Sequence, residues 1–88
     1  YTKLVGEGVL SLRELSEKMS GCPARILGLK GKGSIEPGFD ADFTILETGI
    51  NEKIDAGAFL SISKFSPFDG REVRARVRNT IAGGRVIY

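Results

Sequence analysis

Eighty-eight residues with one cysteine and no histidine allow one small domain. They exclude an internal disulfide, imidazole metal sites and histidine-based acid–base catalysis. Thirteen basic against 11 acidic residues leave a formal charge of +2, too balanced to imply nucleic acid or an anionic membrane as partner.

No apolar run approaches the ~20 residues of a membrane span, and no signal-peptide pattern opens the chain. The lack of a cysteine framework points to a cytoplasmic protein. The chain begins at Tyr1, and YTKLV runs straight into GEG. Leu4 and Val5 followed by Gly6 and Gly8 read as a helix end. Five residues cannot hold a helix in isolation. The expectation is the last turn of an element whose beginning is missing, in a piece of a longer protein.

Ser11 with Glu14 three residues on makes a capping box. Leu12, Leu15 and Met19 follow helical spacing, while Arg13, Glu14, Glu17 and Lys18 point elsewhere. The spacing predicts a helix from Leu12 to about Ser20, stopped by Gly21. Pro23 suits the first position of a second short helix, Pro23 to Leu27, closed by Gly28. Ala24, Ile26 and Leu27 give it an apolar side.

From Gly31 onward the pattern is β. Ser34 to Glu36 reads as a short strand broken by the Pro37-Gly38 turn signal. Ala41 to Leu46 reads as a strand, Thr48 to Lys53 as a polar connection, and Ile54 as the start of another short strand. AGAFLSISKFSPFDG is irregular, with Phe59, Phe65 and Phe68 as buried anchors beneath a loop. Arg71 to Ile81 alternates, with Val73, Ala75 and Val77 on one face and Arg74, Arg76 and Arg78 on the other. Gly83-Gly84 makes a two-residue hairpin turn, and Arg85 to Tyr88 returns as the last strand. No internal repeat and no low-complexity segment is present.

Five features invite a chemical reading. Gly28-Leu29-Lys30-Gly31 matches a nucleotide-clamping loop, but that loop needs a helix after it, which Gly33, Pro37 and Gly38 forbid. Gly31-Lys32-Gly33-Ser34 could cradle a phosphate, but the order here is helix, glycines, strand, the reverse of what that site needs. Asp40 and Asp42 would share a strand face, the geometric minimum for a shared cation. Two carboxylates are too few ligands, so Asp40 is expected to finish a turn and Asp42 to accept backbone hydrogen bonds. The Arg74, Arg76, Arg78 row, with Arg71 and Arg85 near, has no interleaved aromatic residue and reads as a solvated strand face. Cys22 lies between a helix stop and a helix start, without a histidine or acidic partner, and reads as a packed small residue. No residue is assigned a catalytic, cofactor-binding or metal-binding role.

GCPARILGLKGKGSIEPGFDADFTILE, Gly21 to Glu47, resembles the closing segment of the amidohydrolase superfamily. There a short helix opening on Pro-Ala leads to a glycine turn and then G-x-I-x-x-G-x-D-A-D-hydrophobic. NTIAGGRVIY resembles that superfamily's terminal hairpin. SKFSPFDG, Ser63 to Gly70, is similar to the Ser-Pro-Phe-acidic-Gly turn of the cyclic amide hydrolases, dihydroorotases and allantoinases among them. The likeness covers almost the whole chain in order.

The resemblance implies an α/β parent, a (β/α)8 barrel with a small β-sandwich built from both chain ends. Residues 1–29 would be the last barrel helices, and residues 30–88 the C-terminal part of the sandwich. It implies a zinc-dependent enzyme, with dihydroorotase of pyrimidine biosynthesis the first expectation and allantoinase or hydantoinase the alternatives. Zinc and the small-molecule substrate would be bound outside this chain, which would be structural and inactive alone. Its partner would be the remainder of the parent enzyme, with no nucleic acid and no membrane, and with room for a homo-oligomer. The competing reading is a stand-alone β-rich binding module using the Arg74, Arg76, Arg78 face.

Overall fold

A computed structural model describes residues 1–88. The chain opens on tight turns. The Val5 N–H donates to the Tyr1 carbonyl at 2.8 Å, and the Val9 N–H donates to the Leu4 carbonyl at 2.8 Å. This is one helical turn ending before Gly8, whose φ is +76°.

One continuous helical run follows, made of α1 (Leu12–Ser16), a π turn (Glu17–Gly21) and α2 (Cys22–Ile26). The capping box closes as predicted. The Ser11 hydroxyl accepts the Glu14 N–H at 3.1 Å, and the Glu14 carboxylate accepts the Ser11 N–H at 2.7 Å. Gly21 does not stop the helix; it stays right-handed, with φ −63° and ψ −54°. The physical reason is Pro23, which has no N–H and whose ring crowds the preceding turn. The helix widens before it, so that the Cys22 N–H reaches back five residues to the Glu17 carbonyl. Two predicted helices are therefore one, with a change of register. The predicted end at Gly28 holds. Its φ is +66°, the Leu29 N–H reaches the Ala24 carbonyl at 2.9 Å, and the Gly28 N–H reaches Arg25 at 3.1 Å. That pair of bonds is the Schellman arrangement.

Residues 29–42 cross to the sheet without regular structure. The predicted strand Ser34–Glu36 is absent. Gly33 and Gly38, at φ +89° and +88°, bound the segment, and no strand lies beside it to supply a ladder.

The sheet has three antiparallel strands in the order β1 (Phe43–Lys53), β2 (Glu72–Ala82) and β3 (Arg85–Val86). β1 runs through the predicted polar connection Thr48–Lys53. Cross-strand partners hold it, with Glu52 opposite Val73 and Lys53 opposite Glu72. An irregularity between Thr48 and Glu52 contains Gly49 at φ +74°, a bulge that hides the alternation from sequence. Ile54 does not begin a strand. Its N–H donates to Arg71 and its carbonyl accepts from Gly70, which closes the neck of the following loop. Gly83 and Gly84 form the predicted turn, with φ +56° and +78°. β3 is shorter than predicted, although the Ile87 N–H still donates to Thr80 at 2.9 Å.

In the loop, a short 3-10 turn (Ala56–Ala58) is capped by Asp55, and the Ala56 N–H donates to the Asp69 carboxylate at 2.8 Å. Phe59 is half-buried, but Phe65 and Phe68 are exposed, contrary to the expected buried anchors. No second layer of this chain covers them, and the Arg71 guanidinium lies over the Phe68 ring, 5.2 Å from its centre.

Three of the 88 residues are buried, Gly21, Ala24 and Ala56, and the helix shares no packed face with the sheet. The accessible surface is 7015 Å². A compact monomer of this mass exposes about 5,000 Å², so roughly 2,000 Å² is in excess. The architecture is one helix and a single sheet layer, not a closed two-layer domain.

Candidate functional site

The most organised side-chain cluster sits where the crossing enters the sheet. The Lys32 ammonium lies 2.6 Å from the Asp42 carboxylate and 2.9 Å from that of Asp40. The other Asp42 oxygen accepts the Gly83 N–H at 2.8 Å. Backbone bonds frame the cluster, from the Asp40 N–H to the Gly31 carbonyl at 2.8 Å and from the Gly84 N–H to the Ala41 carbonyl at 2.9 Å. The two aspartates do share a cation, and it is the ammonium of Lys32. Hydrogen bonds from Lys32, then from Gly83, hold the Asp42 carboxyl below its usual value, and the carboxylates push the Lys32 ammonium up. Asp42 thus accepts a backbone donor at the strand entry, as its position in the sequence predicts. Lys32 itself was not legible as its partner, since ten residues separate the two.

This arrangement removes Lys32 from any phosphate role, and no helix begins after Gly31-Lys32-Gly33-Ser34 or after Gly28-Leu29-Lys30-Gly31. An open hollow of about 480 Å³ borders the same segment, lined by Ala24, Arg25, Leu29, Lys32, Glu36 and Phe39 among others. Two of its three cations are already committed, Lys32 to the aspartates and Arg25 to Glu17, and the third is Lys30.

The arginine row is matched from across the sheet. Arg76 pairs with Glu47 at 2.8 Å and with Glu52, and Arg78 stands 3.6 Å from Glu47. The side-chain hydrogen bond from Glu47 leads the effects that push the Arg76 guanidinium up. The Arg74 backbone N–H donates to the Thr2 hydroxyl at 3.0 Å, and its guanidinium reaches the Gly6 carbonyl at 3.4 Å. A row that alternation alone presents as bare positive charge is ion-paired at Arg76 and Arg78 and hydrogen-bonded to a carbonyl at Arg74.

Cys22 has charged neighbours, contrary to the expected packed small residue without an acidic partner. Its thiol lies 3.3 Å from the Arg25 guanidinium and 3.6 Å from the Glu17 carboxylate, and Arg25 and Glu17 pair with each other. Residues five apart on a regular helix stand about 140° apart. The π turn brings Glu17 beneath Cys22. The Arg25 hydrogen bond is the main reason the Glu17 carboxyl sits below its usual value.

These residues do not make a zinc site. Such sites take three or four imidazole, thiolate or carboxylate donors, and no group of three such side chains gathers anywhere in the chain. The aspartate pair holds an ammonium, and a guanidinium stands beside the only thiol.

A helix that closes through Gly28, a glycine-rich crossing into Asp40-Ala41-Asp42, and a Gly-Gly hairpin define a known segment. The chain belongs to the Amidohydrolase family, whose profile matches residues 4–88. Among curated relatives it is similar to the dihydroorotase of Pelotomaculum thermopropionicum, 42% identical over 87 residues, which are 99% of this chain and 20% of that protein. It is 44% identical over 86 residues to the dihydroorotase of Geobacter metallireducens, covering 98% of this chain and 20% of that protein. Among solved structures, the L-hydantoinase (dihydropyrimidinase) from Arthrobacter aurescens superposes with a TM-score of 0.88 at 42% identity. That match covers 94% of this chain and 19% of the hydantoinase. The chain spans about a fifth of the length of these relatives.

Proposed function

We propose that this chain is the C-terminal portion of a dihydroorotase, an enzyme that reversibly hydrolyses the cyclic amide of dihydroorotate to carbamoyl aspartate in pyrimidine biosynthesis. The observation that carries the reading is 42% identity along 99% of the chain to a dihydroorotase of which it spans only 20%. In this reading, residues 1–29 end the barrel and residues 30–88 supply the C-terminal part of the sandwich. Zinc and substrate are bound by the remainder of the enzyme, and this portion is inactive alone. Excess exposed surface and a sheet without a second layer support that division of labour. No helix of the chain is long and apolar enough to cross a membrane, and the reading places the enzyme in the cytoplasm, without a nucleic-acid partner.

A second reading, hydantoinase, is favoured by the superposition with L-hydantoinase at TM-score 0.88. One experiment separates the two. The intact protein is purified with its metal and assayed for carbamoyl aspartate formed from dihydroorotate, and in parallel for opening of a 5-substituted hydantoin. Turnover of dihydroorotate is expected. Turnover of the hydantoin alone moves the assignment to the second reading. Turnover of neither, with a salt-dependent shift of a short oligonucleotide, would support a binding module built on the Arg74, Arg76, Arg78 face.

A further inference from the structure

The helix and the sheet share no packed face, yet two consecutive residues each hold one of them. Gly33 lies against the helix. A Cβ there would stand 2.6 Å from the Ala24 Cβ and 2.9 Å from the Ser20 carbonyl oxygen, so only glycine permits this approach. Its φ of +89° adds a second requirement for glycine. Lys32, its neighbour, reaches the sheet through Asp40 and Asp42 at the mouth of β1, and Asp42 carries the contact on to Gly83 at the β2–β3 turn.

We propose that Lys32 and Gly33 form a pin that sets the angle between helix and sheet, Gly33 seating the helix and Lys32 seating the sheet. A second attachment lies at the N-terminal turns, where Thr2 and Gly6 meet Arg74 of β2. Two points of attachment leave the helix only rotation about the line that joins them; with one released, it pivots freely about the other. Only three residues are buried and no apolar layer joins the two parts, so the joint supplied by this chain is made of polar contacts and the Gly33 seat. The inference concerns the joint alone and is independent of which cyclic amide the parent hydrolyses.

Hydrogen exchange read by mass spectrometry on the intact protein tests it. Lys32→Met is expected to speed exchange at Asp40, Gly83 and Gly84 about three- to tenfold, as for loss of a charge-assisted contact supporting a local hydrogen-bonded unit. Lys32→Arg, which keeps the charge, is expected to stay near the native rate. Lys30→Met is the control, because Lys30 makes no hydrogen bond or ion pair within the chain. Spin labels at Lys18 and Arg85 read the angle itself, and Lys32→Met is expected to broaden their distance distribution. Native exchange and a native distribution in Lys32→Met would overturn the proposal, as would an equal effect of Lys30→Met. Should Lys32→Met fail to fold, Asp40→Asn removes one of the two carboxylates. A smaller rise at the same amides then supports the pin, and no rise overturns it.

Discussion

The sheet and the helix handle their outward faces in opposite ways. On the sheet, Arg76 and Arg78 meet Glu47 and Glu52 from the neighbouring strand, so the polar face is completed within the chain. On the helix, Leu12, Met19, Ile26 and Leu27 are 53%, 71%, 82% and 71% exposed, and nothing in the chain lies on them. Charges can find partners one strand away. Apolar side chains need a second layer, and 88 residues arranged as one helix and one sheet do not contain it. The loop after β1 repeats the lesson on the sheet's side, where Leu60 is mostly and Ile62 fully open to solvent.

The largest expected effect breaks the junction between these regions. Gly33→Ala should destabilise the intact protein by about 2–5 kcal/mol, combining ~1–2 kcal/mol for a Cβ in the left-handed region with ~1–3 kcal/mol for overpacking against Ala24. Denaturant unfolding measures it, and a loss below 1 kcal/mol would show that the crossing can relax away from the helix.

Next comes the uncovered helix face. Ile26→Asp should cost the intact protein about 1.5–3 kcal/mol if the proposed remainder of a longer chain covers this side chain. The same change should leave the isolated chain unaffected, because Ile26 is already exposed there. Equal effects in the two settings would erase the contrast between helix and sheet.

Ser11→Ala removes the capping hydroxyl and should cost about 1 kcal/mol. Helical circular dichroism should fall while the sheet signal holds.

Acidification should act on both regions at once but weakly. The Glu14 and Glu17 carboxyls sit below their ordinary 4.5, and Asp42 sits below its ordinary 3.8. Depressed carboxyl values contribute stability that is present above the ordinary value and lost as pH falls through the folded one. Thermal melts should therefore be level from neutral pH to about 5 and decline below about 4. A decline that begins above pH 6 would point to other groups.

The smallest effect is expected from Arg76→Ala, whose ion pairs are solvent-exposed and screened. Its melt should overlay the native one at 0.5 M salt, and a clear loss there would show that these pairs matter more than exposed pairs usually do.

Some of this was legible in the residues and some was not. The capping box at Ser11, the helix end at Gly28, the alternation of β2 and the Gly83-Gly84 turn are local signals, each decided by side chains or backbone freedom within a few positions. The Asp40-Ala41-Asp42 entry was legible as a strand mouth for the same reason. The misreadings share another cause. Gly21 reads as a stop because propensity disfavours glycine in helices, while Pro23 two residues on makes a widened turn the better solution. Thr48–Lys53 reads as a connection because a bulge at Gly49 shifts the alternation, and only pairing with β2 reveals the strand. Phe65 and Phe68 read as anchors because large apolar residues are usually inside, and that rule assumes an inside exists.

By itself, then, the sequence determined the chain's local pieces and its family likeness. These rest on spacing, capping and positive-φ glycines, which act over a handful of residues. Only the tertiary structure decided what those pieces do to one another: that Lys32 is the cation between Asp40 and Asp42, that Arg76 and Arg78 are ion-paired, that Glu17 and Arg25 flank Cys22, and that the helix and sheet are joined through Lys32 and Gly33 and not through a core. These contacts, between residues from three to about thirty positions apart, depend on how the chain turns in space, and no periodicity records that.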